Sequence, residues 1–201
     1  MRRAVPRLLA CLLAFAMATS VAALKKPVDA ENLFNPLLGV EYSHWLVGPI
    51  FQIASDKEVE EYLGLISDED AARFIEQFWE HHNKDTELFK KSPEQLFEQR
   101  AEKADSRYSE GTLPGRLTDR GTIYVLFGEP EDIEYQSSEL LDGPSIEIWQ
   151  YGKEAGKGLN GEKPKKAFRF HQVGDSTVFF TNSASEREAR RRGRGKIRYN
   201  Q

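Results

Sequence analysis

Cysteine is almost missing from this chain: Cys11 is the only one, and it lies in a leading segment expected to be removed. Without a second cysteine there is no intrachain disulfide. A mature chain without Cys11 also has no thiol nucleophile and no thiolate metal ligand. Long apolar runs are missing too. The main apolar run, residues 8–21 (LLACLLAFAMATSV), falls short of the roughly 20 residues that span a bilayer. Preceded by Arg2, Arg3 and Arg7 and followed by Val21-Ala22-Ala23, it has the form of a secretory signal peptide over residues 1–23. Leu8-Leu9-Ala10-Cys11 is similar to a lipoprotein cleavage site. Cutting there would leave an apolar segment on the mature protein, so lipidation is not expected, and the mature chain is read as periplasmic or secreted.

Several catalytic signatures are also absent. No G-x-S-x-G occurs, no G-K-[ST] phosphate loop and no H-E-x-x-H. His81 and His82 are adjacent, which on a helix turns their side chains about 100° apart rather than onto one face. His81 and Asp85 have i,i+4 spacing, but two ligands do not make a metal site. No catalytic residue, metal or cofactor is therefore assigned.

What remains is charge and pattern. Without the three signal arginines the chain carries 25 basic and 32 acidic residues, a net −7. Residues 184–201 hold seven cations, among them Arg190, Arg191, Arg192 and Arg194, against two acids, leaving −12 on residues 24–183. An acidic globule with a basic tail suits an anionic lipid or cell-wall polymer at the tail, without specific nucleic-acid recognition. Ser185-x-x-Glu188 opens a short expected helix within that tail.

Residues 24–44 mix proline, glycine and polar residues and read as a partly ordered leader. Residues 50–53 (IFQI) read as a short strand. Ser55-x-x-Glu58, Ser67-x-x-Asp70 and Ser92-Pro93-Glu94-Gln95 each place a hydroxyl where it caps a helix, with an acid or amide three residues on. Phe74, Ile75, Phe78 and Trp79 share one helical face, as do Phe97, Ala101, Ala104 and Tyr108. Four strands are then expected at 122–127 (TIYVLF), 145–151 (SIEIWQY), 167–173 (AFRFHQV) and 177–181 (TVFFT). A Gly174-Asp175 hairpin joins the last two, and the Gly/Lys-rich loop 152–166 precedes them. Capped helices first and strands afterwards give an α+β fold, N-terminal helices packed on a C-terminal antiparallel sheet of about four strands, over residues 45–183.

Three blocks carry a family resemblance. Residues 67–79 run Ser-Asp-Glu-Asp into Phe-Ile-Glu-Gln-Phe-Trp. Residues 115–133 hold Gly115-Arg116-Leu117-Thr118-Asp119-Arg120-Gly121 and then IYVLFGEPEDI, and residues 147–151 read EIWQY. Their order resembles the GWxTD-motif domain, a bacterial family with no established biochemical activity. The signature tryptophan is Arg116 here, and Glu80-His81-His82-Asn83 replaces the Arg-Asp-Pro expected after Phe78-Trp79. The resemblance implies an envelope-associated or secreted α+β module and supplies no reaction. Asp119 reads first as a turn residue bonding nearby amides, with Gly121 allowing an unusual backbone angle and Thr118 ordering a strand entry. Three functions are consistent with this sequence. The leading one is a non-catalytic interaction module with a protein partner for its body. The others are a hydrolase-like enzyme using Asp119 with His81 or His82, and a small-ligand-binding domain using the sheet aromatics Tyr124, Trp149 and Phe179.

Overall fold

The computed structural model describes residues 24–25, 28–84, 90–137 and 145–180. The signal segment, Asp85 and the basic tail with its expected helix lie outside the described residues.

Helices come first. The short α1 (Val40–Ser43) and α2 (Pro49–Ile53) lead into α3 (Asp56–Leu63), α4 (Asp68–His82) and α5 (Pro93–Tyr108). The three expected serine caps are all present: Ser55, Ser67 and Ser92 accept from the backbone N–H of Glu58, Asp70 and Gln95. Only Ser55 has the full reciprocal box, with Glu58 Oε2 accepting from Ser55 N at 2.6 Å. Residues 50–53 belong to α2 and form no strand. Pro49 pre-sets the first helical φ, and Ala54 N closes an i,i+4 bond on Ile50 O.

The second correction concerns residues 122–127. They form most of α6 (Asp119–Phe127), which follows a 3₁₀ turn at Gly115–Leu117. Thr118 starts this helix by accepting from Gly121 N at 3.1 Å. Ile123, Tyr124, Val125 and Leu126 are all buried, so this segment is apolar on every side and shows no amphipathic period. A short run of that kind cannot be told from a buried strand by pattern. The β-branched preference, a few tenths of a kcal/mol per residue, yields to packing. Tyr124 accordingly sits on a helix and not in the sheet. The half-buried Arg100 of α5 donates to Val125 O and Leu126 O and satisfies carbonyls at the end of α6.

The sheet is an antiparallel meander in the order β1 (Asp132–Gln136), β2 (Ile146–Gln150), β3 (Ala167–Val173), β4 (Ser176–Phe179). The expected four strands are present with one exchanged member: β1 (DIEYQ), exposed along its whole length, takes the place given to 122–127. Gly174, at φ 61°, makes the hairpin turn between β3 and β4. Trp149, fully buried, packs on Tyr108 and Phe170, joining sheet to helices in one aromatic core. The 152–166 loop is anchored by buried Leu159, whose N–H donates to Leu126 O.

The leader also enters this core. Leu33, Asn35 and Leu38 are buried, and the Asn35 amide donates to Tyr62 O and Leu65 O at 3.1 and 3.0 Å. Residues from 33 onward are thus part of the domain rather than a preface to it. Among the described residues no helix is long and apolar enough to cross a membrane.

Candidate functional site

The segment Gly115–Gly121 sits where α5, α6 and β4 meet, and its residues are engaged internally. A Cβ on Gly115 would lie 1.9 Å from Ala104 O, and one on Gly121 would lie 1.7 Å from Gly115 O. Both glycines are therefore required by close backbone approach, and neither has the positive φ that an unusual backbone angle at Gly121 would need. Thr118 caps α6 and also donates from its hydroxyl to Gly115 O at 2.8 Å. Arg116, at the signature tryptophan position in the 3₁₀ turn, is tied to α5 by its N–H and Nε, which both donate to Asp105, at 2.7 and 2.8 Å.

Asp119 makes no local turn contact of the kind expected for it. Its Oδ2 accepts from Phe179 N of β4 at 2.6 Å, and Glu110 Oε1 accepts from Thr177 N at 3.0 Å. These two N–H groups lie two residues apart on the edge strand, so carboxylates close a sheet edge that would otherwise present open donors. Arg120 ties the same joint together. It reaches Glu110 and Glu147, both at 3.3 Å, and stacks over Tyr108, while Glu147 accepts from Trp149 Nε1 at 2.6 Å.

Burial pushes the Asp119 carboxyl above its ordinary range, and the nearby Glu110 charge adds to this, against the opposing Phe179 N–H bond. The folded state then holds the proton more tightly than the unfolded chain. The contribution of Asp119 to stability is fully present below its unfolded pKa and declines as pH rises through the raised folded value. Asp119→Asn keeps an acceptor for Phe179 N and removes the buried charge. Its stability at neutral pH is expected to equal or exceed that of the parent, with the advantage shrinking at acid pH. Asp119→Ala orphans the amide and should lose ~1–3 kcal/mol. Urea unfolding across pH checks both; an Asn variant as weak as the Ala variant at neutral pH contradicts the assignment.

A second constellation lies elsewhere. Glu58 of α3 projects between the two histidines that end α4, its Oε1 3.4 Å from His81 Nδ1 and 3.2 Å from His82 Nε2. One histidine offers its near nitrogen and the other its far one, so adjacent residues converge despite diverging Cβ directions. His82 is held against the Phe78 ring at 4.2 Å, and the His81 side chain is 71% exposed. Burial works against ionisation of Glu58, yet the Ser55 backbone and hydroxyl donors, then His82 and His81, hold its carboxyl below the usual range. An open pocket of about 250 Å³ adjoins the group, lined by Glu58, His81, Glu61, Gln77, Phe74 and Phe78 among others.

The structure brings Thr118, Asp119, Arg120 and the two glycines together as a joint. It does not bring Asp119 to the histidines: His81 lines the α3–α4 pocket, and Asp119 is bound to β4. Trp149 and Phe179 contact Phe170 within the packed layer. Arg190, Arg191, Arg192 and Arg194 lie outside the described residues. Sequence reading saw Glu58 only as a capping partner and missed Glu110 and Glu147; no spacing rule marks residues that meet through tertiary packing. No curated protein and no solved structure matches the chain. The GWxTD domain family model matches residues 37–181, the span that holds this joint, and the chain therefore belongs to the GWxTD domain family.

Proposed function

We propose that this chain is a non-catalytic interaction module of the bacterial envelope or secreted fraction, its body meeting a protein partner and its tail an anionic surface. The observation that carries this reading is the use of the family signature. Thr118 Oγ1, Asp119 Oδ2 and the two Arg120 Nη atoms are engaged by α6, β4 and the Glu110–Glu147 pair, while Arg120 Nε is buried away from any surface ligand, so the signature builds scaffold and leaves recognition to the surface. An apolar surface supports it: Leu37, Val40 and Ile66 are 64%, 90% and 73% exposed, and Gly39 N donates to Asp68 Oδ1, drawing their two segments together. The separation of a −12 body from a +5 tail supports the anionic surface. Export through residues 1–23 places such a module among lipid headgroups and cell-wall polymers.

Affinity purification from solubilised envelope tests this, comparing the tagged mature chain with a 184–201 deletion. A stoichiometric protein partner should be kept by both forms, and a salt-sensitive association should be lost with the deletion. Retention of nothing by either form overturns the reading.

A further inference from the structure

Apart from any partner, we propose that Glu58, His81 and His82 form a Zn²⁺-binding site that clips α3 to α4. The three candidate ligand atoms all lie within 4.8 Å of one another. Tetrahedral zinc with bonds of roughly 2.0–2.1 Å sets its ligands about 3.3–3.4 Å apart. The two Glu58-to-histidine separations, 3.4 and 3.2 Å, already match that edge. The third edge, between His81 Nδ1 and His82 Nε2, is no longer than 4.8 Å and would have to close on the ion.

The donor set selects the ion. Two imidazoles and one carboxylate are borderline ligands, suited to Zn²⁺ among the first-row divalent ions, with too few oxygens for Ca²⁺ or Mg²⁺ and no sulfur for Cu⁺; competition by Fe²⁺, Ni²⁺ and Cu²⁺ is measured beside Zn²⁺. Ligation uses the tautomers with lone pairs on His81 Nδ1 and His82 Nε2, and one ionised carboxylate gives the site the negative charge a cation requires. The surroundings orient the ligands. Ser55 N occupies Glu58 Oε2 at 2.6 Å, which leaves Oε1 for the metal, and Phe78 fixes the His82 ring. The neighbouring pocket, with Glu61 and Gln77 in its wall, leaves a fourth position for water or a small ligand. The ligands come from helices 23 and 24 residues apart in sequence, so binding would stabilise the packing of α3 on α4.

Titration of the tag-free, chelator-treated mature chain with ZnCl₂ tests this by calorimetry, with Co²⁺ absorption in the visible reporting the ligand field. One saturable equivalent is expected, with a rise in Tm. His81→Ala alters an exposed side chain and should fold; it should weaken binding on the order of 100-fold, at or above the range for losing a mere supporting group. Glu58→Gln should weaken it similarly, while His44→Ala should leave it unchanged. The site is refuted by the absence of saturable binding, by unchanged affinity in His81→Ala, or by an equal loss in His44→Ala.

Discussion

Gly121→Ala is expected to destabilise the protein by ~3 kcal/mol or more, at the upper end of overpacking substitutions. Two effects oppose each other at this position. Gly121 lies within α6, where alanine is a better helix former by about 1 kcal/mol. The added Cβ, however, would sit 1.7 Å from Gly115 O, a backbone atom that no rotamer change can move. Relief requires the 3₁₀ turn and α6 to separate, which breaks the Thr118 bonds to Gly115 and Gly121. Gly115→Ala should behave alike, because Ala104 O stands 1.9 Å from its Cβ. Gly156→Ala is the control: nothing lies within 4 Å of its Cβ, and its effect should stay within about ±0.5 kcal/mol. Urea unfolding of the three variants decides the point, and equal midpoints for Gly121→Ala and Gly156→Ala would sink the packing argument.

Asn35→Asp should also be among the most damaging substitutions. The Asn35 amide nitrogen faces the carbonyls of Tyr62, Leu63 and Leu65 at 3.1, 3.4 and 3.0 Å, at the end of α3. A carboxylate there replaces donors with acceptors and buries an unpaired charge, for an expected loss of ~3–5 kcal/mol at neutral pH. Asn35→Ala leaves the carbonyls unserved without adding charge and should lose about 1–3 kcal/mol. The pH dependence separates the two. Burial raises the introduced carboxyl above its unfolded value, so the folded form gains protons relative to the unfolded one as pH falls. The Asp variant should recover part of its loss in mildly acidic buffer, where a protonated oxygen can donate to one carbonyl. If both variants unfold together at neutral and acid pH, Asn35 is not the donor described here.

These residues show how far local pattern reaches. The serine caps were legible because a cap is settled within four residues, and Ser55, Ser67 and Ser92 all perform it. The buried faces of α4 and α5 were legible because solvent on one side imposes a period. α6 was not, because it has no solvent side, although Thr118 ahead of it and Gly128 behind it are a legitimate start and stop. β1 is the opposite case: DIEYQ alternates polar and apolar residues, but it follows the Gly128–Pro130 turn as a short exposed segment with no buried face, and pairing with β2 defines it. Nothing local marks Asn35 among the polar residues of the 24–44 leader, since its partners lie 27 to 30 residues on. The joint at Asp119 depends on partners 60 residues away, and the Glu58–His81–His82 group on the packing of two helices. Neither distance is encoded in spacing.

The central claim is that the family signature builds the scaffold and that recognition lies elsewhere on the surface. The most direct test repeats the envelope affinity purification with Asp119→Asn, which preserves the bond to Phe179 N and alters only the carboxylate. The variant is expected to keep the parent's full set of partners and to be of equal or greater stability. Loss of a stoichiometric partner by Asp119→Asn, with its unfolding midpoint unchanged, would contradict it and move Asp119 from scaffold to binding surface.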